Sequence, residues 1–504
     1  MNRYAFLLTI LLQFVQLINA QKKVASYPIE FRKEAVEKRF CDSYFLMHPS
    51  GQYFMLILKD DKKAEYLLYN NKMQLLSSFS PSEGLDKTIF NFDRQEYLGG
   101  TAGKGKFHFV YKVTDKKFLD RDIYYQMETI DPVTKQVSNK QLFQISKDEK
   151  LIISFGNFGQ YFSITANNST GELKLYGLNP SGESFIKSFP IHIPETSNKK
   201  KLSDLLDDIQ LVSSNEEPGL DAATEKVKLF YSPDKISITV NERDDPTLII
   251  NINTQTFSFE EKSIDHSTLT KEEKGKSYVN SFLFENKIFS LILNQKNIRI
   301  AVYEAETGKL IKTHEINEDT ETGTFAEMPF TESRSGSMGD YKSIGNPKKV
   351  IKAFDDGSAG IMAYKYNGEI VITIGTYSSY KIQSPGSDPM RTTTTSTTPI
   401  SPYSRYAGGG LYQTDDPFFR PGSPSVTRYR ANFYKSTQIK LKLNSSTLNL
   451  ASGEAPFSVN NKIKDYMGGI GFMKNQFHIN EKQYIGYYND NQKVYVIEEI
   501  STRK

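Results

Sequence analysis

Lys276–Asn317 reads KSYVNSFLFENKIFSLILNQKNIRIAVYEAETGKLIKTHEIN. It contains four short apolar runs: SYVNSFLF, KIFSLIL, NIRIAVY and KLIKTHEI. Glu285-Asn286, Asn294–Lys296 and Glu304–Gly308 part them. Short apolar runs between polar or glycine-bearing breaks are strands joined by tight turns. In the third run Ile298, Ile300 and Val302 alternate with Arg299, Ala301 and Tyr303. That period of two is expected of a strand whose faces differ.

The same unit can be laid along the rest of the chain. Ser43–Phe79 holds SYFLMH, QYFMLIL, AEYLLY and MQLLSSF. Lys150–Ile193 holds LIISF, YFSITAN, ELKLYGL and SFIKSFPI. Lys226–Ile264 holds KVKLFYS, KISITV, TLIININ and TFSFEEKSI. Residues 88–146 form a longer version, and Lys349–Leu443 supplies VIKAF, GIMAYKY, EIVITIG and, after an insertion, TQIKLKL. Four antiparallel strands in about 40 residues make one blade of a β-propeller. The expectation is an all-β chain, one propeller spanning 21–504 with about seven four-stranded blades, six and eight being the neighbouring counts. The last unit, Asp465–Ile500, is one strand short, with GGIGFM, QYIGYY and KVYVIEEI. Val24–Phe31 is expected to complete it and close the ring, hiding sheet edges that otherwise invite aggregation.

A turn motif accompanies four of these units. It reads HPSGQYFMLI at His48–Ile57, SKDEKLIIS at Ser146–Ser154, SPDKISITV at Ser232–Val240 and DDGSAGIMAY at Asp355–Tyr364. These resemble the S-P-D-G-K turn of TolB-like and related propeller repeats. The resemblance implies a tight polar turn between the first two strands of each blade. Glycine is lost in the second and third copies, and the basic residue changes in the first and fourth.

Two segments break the rhythm. Residues 194–224 are polar and acidic, and Leu202–Val212 carries a helical spacing of Leu202, Leu205, Leu206 and Ile209, with Ser203 as a candidate cap. A shorter helix is expected within Pro28–Arg39. Residues 384–429 are rich in Thr, Ser and Pro, a composition that buries no core. They fall inside a blade, between its expected third and fourth strands. Tyr403, Tyr406, Tyr412, Phe418 and Phe419 stand out there, either packing back on the propeller or forming a contact surface.

Residues 1–20 have the pattern of a secretory signal peptide. Arg3 precedes an apolar stretch from Ala5 to Ile18, and Ile18 and Ala20 suit a cut ahead of Gln21. The expected location is the periplasm, cell surface or extracellular space, with no integral membrane segment in the mature chain. Lys plus Arg number 63 against 59 Asp plus Glu, a well-mixed net +4, which gives no basic arm for nucleic acid. Cys41 is the only cysteine, so an internal disulfide and cysteine-held zinc are excluded.

No motif carries catalysis. His48, His108, His192, His266, His314 and His478 are too scattered for local metal spacings such as H-E-x-x-H. There is no G-x-S-x-G nucleophile elbow. Gly99–Gly105, GGTAGKG, lacks the Ser or Thr of a phosphate loop and reads as a hairpin turn. The acid pairs, such as Asp60-Asp61, match no calcium loop. Tryptophan is absent, against the Trp-bearing repeats of sialidase-type and quinoprotein propellers. Sequons at Asn167, Asn168 and Asn444 matter only in a glycosylating host. No cofactor, metal or catalytic residue is assigned. The reading is an exported binding or scaffold protein of the cell envelope, holding a protein or glycan through its loops. The competing readings are a hydrolase of glycans or peptides and an envelope component with no ligand.

Overall fold

The computed structural model describes residues 21–37, 41–60, 62–80, 95–116, 121–157, 159–192, 201–212, 219–242, 246–270, 277–294, 296–317, 330–334, 342–343, 347–355, 358–383, 429–453, 472–479 and 482–500. Among them are seven sheets, five of four strands and two of five. They are the blades of a β-propeller. Two compact units divide them.

The first unit holds the described residues up to Pro190 and those from 472 onward. It opens with β1 (Gln21–Pro28) and a short helix α1 (Lys33–Glu37). The next sheet is β2 (Cys41–Met47), β3 (Tyr53–Asp60), β4 (Ala64–Asn70) and β5 (Leu75–Phe79). It is followed by β6 (Gln95–Gly103), β7 (Lys106–Lys116), β8 (Arg121–Asp131) and β9 (Gln136–Gln144). A further sheet is β10 (Glu149–Asn157), β11 (Gln160–Asn167), β12 (Glu172–Leu178) and β13 (Ser184–Pro190).

The second unit holds the described residues from Ile191 to Gly453. After α2 (Leu202–Leu205), β14 (Gln210–Val212) and α3 (Leu220–Thr224) come β15 (Val227–Tyr231), β16 (Lys235–Val240), β17 (Thr247–Asn253) and β18 (Phe259–Ile264). A one-turn helix α4 (Ser267–Thr270) leads to β19 (Tyr278–Phe284), β20 (Lys287–Leu293), β21 (Asn297–Glu304) and β22 (Leu310–Asn317). The last sheet takes β23 (Phe330–Arg334), β24 (Lys342–Ser343), β25 (Ala359–Tyr366), β26 (Glu369–Gln383) and β27 (Tyr429–Leu443), with α5 (Pro347–Asp355) before β25. The first unit then resumes with β28 (Phe472–Ile479), β29 (Lys482–Asn489) and β30 (Val494–Ile500).

Second strands are buried along nearly their whole length, as in β3 (YFMLILKD), β11 and β20. Fourth strands are mostly solvated, as in β13 and β22. A strand covered on both faces reads as a continuous apolar run, and one on the rim does not. β21 has the two different faces its alternation implied, and both are covered. Ile298, Ile300 and Val302 pack in one cluster, but Ala301 and Tyr303 are equally buried in another. Arg299 on that side stays partly exposed, donating to Glu315 at 2.8 Å and to the Leu269 carbonyl at 2.6 Å.

The expected closing strand is present. β1 pairs antiparallel with β30 from Gln21↔Ile500 to Pro28↔Val494, giving the order β1-β30-β29-β28. It begins and ends three residues earlier than Val24–Phe31. Residues beyond it anchor the chain: Ile29 N donates to the Lys493 carbonyl at 3.0 Å, and Tyr488 OH donates to the Ile29 carbonyl at 3.2 Å. Phe31 meets the Tyr488 ring edge-on at 5.0 Å.

Other expectations need correction. The helix of Leu202–Val212 stops after one turn, because Asp208 adopts a left-handed φ of 56°. Aspartate tolerates that conformation and a helix does not. Gln210–Val212 then pairs in parallel with β15. Ser203 does not cap, since Lys201 holds the N-cap position without a side-chain bond. VIKAF is helical, within α5, where Val350, Ile351 and Phe354 form one buried face and the lysines point outward. The strand beyond β27 in that sheet is therefore β23, with β24 outside it. The 384–428 segment accordingly lies between second and third strands. Of GGIGFM, Phe472 and Met473 begin β28, and the four residues before them lie outside the described residues. The polar motif turns join first and second strands at His48–Gly51 and Ser232–Lys235. At Ser146–Glu149 the turn precedes a first strand, and at Asp355 the motif follows a helix. Gly99–Gly105 includes a two-residue hairpin turn, with Lys104 and Gly105 both at positive φ (51° and 77°).

Removing residues 21–32 leaves β30 with an open edge and strips the contacts of Ile29 and Phe31. The melting temperature should fall by more than about 5 °C. Hydrogen exchange should show Val494–Ile500 losing protection first. An unchanged melting curve would contradict the closing role of β1.

Candidate functional site

A buried polar seam runs between the β14–β18 and β19–β22 sheets of the second unit. It starts at Lys228 on β15. Strand alternation puts Val227 and Leu229 on one face and Lys228 with Phe230 on the other. Phe230 stacks edge-on with Phe282 of β19 at 5.1 Å, so that face looks onto β19. Lys228 is fully buried. Its Nζ donates to the Glu225 carbonyl at 2.7 Å, Asn280 Oδ1 at 2.7 Å and the Ser281 carbonyl at 3.1 Å. Burial pushes its pKa down to about 7, opposed by the Glu225 carboxylate.

Ser281 carries the seam onward. Its Oγ lies 3.0 Å from Thr247 Oγ1 and 2.9 Å from Ser290 Oγ. Thr247 Oγ1 also lies 3.0 Å from Asn241 Oδ1 and 2.9 Å from His266 Nε2. Asn241 Nδ2 donates to the Lys226 carbonyl at 2.9 Å, which fixes the amide and makes its Oδ1 an acceptor. Thr247 must spend its single proton there, so His266 donates to it through Nε2–H. His266 Nδ1 is then the acceptor for Tyr303 OH at 3.0 Å. The ring is thus neutral, in agreement with burial lowering its pKa to about 4. Burial pushes Tyr303 up to about 12.

The first unit contains a second buried lysine, treated differently. Lys59 of β3 lies 4.9 Å from the Tyr44 ring centroid and 4.8 Å from that of Tyr111. Burial lowers its pKa, while Glu128 and Asp42 raise it. Glu128 of β8 is also buried; it accepts from Tyr66 OH at 3.1 Å, and burial raises its pKa against the pull of Lys59. This is a carboxylate-compensated cation beside aromatic rings. In the same unit His108 lies 2.9 Å from Thr129 Oγ1, and burial lowers its pKa to about 4.

Both seams turn their chemistry inward. Lys228 uses three donors on internal acceptors, and His266 uses both ring nitrogens. Neither arrangement presents an activated nucleophile or base to a substrate. Among the described residues no group of three or more His, Cys, Asp or Glu could hold a metal ion. Asp60 completes the β3–β4 turn, accepting from Lys62 N and Lys63 N at 2.8 Å each. Cys41 is buried in the core. Nothing in the sequence singled out Lys228 or Lys59. The available signal was a lysine interrupting an apolar strand, in VKLFY and YFMLILKD.

Tyr403, Tyr406, Tyr412, Phe418 and Phe419 lie outside the described residues. The strands that carry their segment are described. β26 and β27 pair from Ile370↔Leu443 to Gln383↔Tyr429. β25 accompanies β26 only as far as Thr376, and β23 accompanies β27 only as far as Lys435. Beyond them, Ser379–Gln383 and Tyr429–Tyr434 form a ribbon with no third strand among the described residues.

No protein-family model matches the chain, and no curated protein matches it. Solved structures that it is similar to include the WD40 domain of SCAP from fission yeast, at 8% identity and a TM-score of 0.31, covering 95% of this chain and 98% of that one. The β-propeller domain of the Trilobed protease from Pyrococcus furiosus is 9% identical, with a TM-score of 0.25 and coverage of 66% and 79%. A prolyl endopeptidase is 9% identical with a TM-score of 0.29; the match covers 68% of this chain and 45% of that chain. At these scores no residue role is carried over.

Two outcomes follow from the seams. Between pH 6.5 and 4 the unfolded chain takes up protons that neutral His266 and His108 refuse. Stability should therefore fall across that window, by up to about 3 kcal/mol per histidine. Urea unfolding at stepped pH should show a shallower acid slope for His266→Gln; an unchanged slope would contradict the assignment. Glu128→Gln removes one of the two carboxylates whose charge favours protonated Lys59 and should destabilise by about 1–3 kcal/mol, whereas Lys59→Met with Glu128→Leu together should recover most of it.

Proposed function

We propose that the protein is an exported, non-enzymatic binding or scaffold propeller that holds a protein or glycan partner through the β26–β27 ribbon and the segment it carries. The ribbon is the observation that carries this reading. A two-stranded hairpin is marginally stable alone in water and needs a third element to cover it. Among the described residues, β25 and β23 both stop short of the ribbon's end. The segment beyond holds five aromatic residues within a composition that buries no core. The hydrolase reading has less support, because buried His108, His266 and Lys228 spend their polar atoms on internal partners. Export rests on the pattern of residues 1–20, and no helix among the described residues is long and apolar enough to cross a membrane. The compartment proposed is the periplasm, the cell surface or the extracellular space.

The test is crosslinked affinity capture from native envelopes, with the intact chain beside a 390–425 deletion. A stoichiometric partner should accompany the intact chain and be lost with the deletion, at an unchanged melting temperature. Equal capture by both would place recognition elsewhere on the blades. N-terminal sequencing of the exported protein should begin at Gln21; a retained leader would contradict the proposed cut.

A further inference from the structure

The turn between β25 and β26 is as short as a hairpin allows. Tyr366 pairs with Glu369, and only Asn367 and Gly368 lie between them. Both have positive φ, 50° and 82°. A two-residue hairpin turn demands that left-handed pair, and Asn-Gly supplies it. This is the only Asn-Gly step in the chain.

The same dipeptide carries a chemical weakness. Asparagine is a thermolabile residue. Its side chain places the amide carbon where the next backbone nitrogen can close a five-membered ring with it. A side chain on that next residue would shield the nitrogen, and glycine has none. The turn adds no other shield. Lys365, Tyr366, Asn367 and Gly368 are all exposed. A Cβ at Gly368 would meet nothing within 4 Å. Among the described residues, neither the Gly368 N–H nor the Asn367 side-chain amide has a hydrogen-bond partner. Ring closure requires the peptide to rotate out of the turn, and no packing or side-chain bond at the tip opposes that rotation. Other turn asparagines are tied down. Asn253 Oδ1 accepts from Gln255 N at 2.9 Å and Thr256 N at 2.8 Å. Asn294 Oδ1 accepts from Lys296 N at 2.8 Å and Asn297 N at 2.7 Å. Asn444 Oδ1 accepts from Ser446 N at 3.0 Å and Thr447 N at 2.9 Å. Each of these is also followed by a residue with a side chain: Thr254, Gln295 and Ser445.

We propose that Asn367 is a site of spontaneous deamidation, converting to isoaspartate with water as the only co-reactant. Base takes the Gly368 N–H proton, and the nitrogen attacks Asn367 Cγ. The N–Cγ bond forms, the Cγ–Nδ2 bond breaks, and Nδ2 leaves as ammonia with a proton from solvent. Water then opens the cyclic imide. Opening at the side-chain carbonyl gives aspartate, and opening at the main-chain carbonyl gives isoaspartate. Isoaspartate routes the backbone through Cβ and Cγ, so the two-residue turn gains a backbone carbon and the Tyr366–Glu369 closure loses its fit. The product also adds a negative charge two residues from Glu369, which meets Lys442 at 2.9 Å. The site lies at the opposite end of β26 from the ribbon and is independent of its partner-holding role.

The test holds the intact chain at physiological temperature in mildly alkaline and in mildly acidic buffer. Peptide mapping by mass spectrometry, with fragmentation that separates aspartate from isoaspartate, follows every asparagine over time. Asn367 should convert before any other asparagine, with isoaspartate among its products, and faster in the alkaline buffer. This readout needs no variant. Asn367→Gly keeps the left-handed pair, because Gly-Gly also suits such turns. It should abolish that first conversion at an unchanged melting temperature. An Asn367 that outlasts another asparagine would overturn the site. So would conversion to aspartate alone, which would show direct hydrolysis without the ring.

Discussion

A blade of this protein is apolar on both faces, and that constraint orders the rest. β3, β11 and β20 bury almost every residue, so none can be stable as a sheet with one side in water. Each needs cover on both sides, and the repeated units supply it to one another. The rim strands β5, β13 and β22 escape the demand and carry the polar residues instead. Edges are a separate problem. β1 answers it at one place by taking the exposed side of β30, which joins the two ends of the described chain in one sheet.

Apolar faces of similar composition can slide past one another, and the seams restrict that freedom. Lys228 is tolerable at zero exposure only where Asn280, Ser281 and the Glu225 carbonyl converge on it. A shift of one residue between these sheets would bury an unmatched ammonium, a larger penalty than any apolar mismatch. The 194–224 insertion takes part in this. β14 extends the edge of the β15 sheet, and the carbonyls of Thr224 and Glu225 receive Asn280. α3 lies against β25 closely enough that a Cβ at Gly360 would fall 2.2 Å from the Ala223 carbonyl oxygen. One short segment thus touches all three sheets of its unit along their first strands. Its acidic, polar composition had marked it only as an interruption.

The strands were legible because they obey local rules. Lys276–Asn317 shows all four runs, with boundaries within two residues of β19 to β22. Where reading failed, a local pattern was overruled or misjudged. Leu202, Leu205, Leu206 and Ile209 are all buried as a helical face requires, yet the left-handed Asp208 ends the helix between them and β14. VIKAF carries two adjacent apolar residues and a third after two more positions, which is helical spacing mistaken for a strand. The alternation in β21 was legible as two different faces, but not that both are buried, because alternation reports only that the side chains differ. The seams could not be read at all. Thr247, His266, Ser281 and Tyr303 meet across three strands and a connection, and no spacing along the chain encodes that meeting.

The two buried lysines show how burial and function are divided here. Lys59 has a carboxylate and two tyrosine rings beside it, so its charge is accounted for within its own unit. Lys228 has full hydrogen bonding to neutral acceptors, and burial lowers its pKa to about 7 against the Glu225 carboxylate. Neither lysine faces solvent, so neither explains what a partner would recognise. Recognition has to be built from groups that reach water. Among the described strands, the pair least supported by its own sheet is the end of β26 and β27. It is the pair among them with a free side for an added strand or surface. The two demands are separate: buried groups need internal partners, whereas the end of the β26–β27 pair has no neighbouring strand among the described residues.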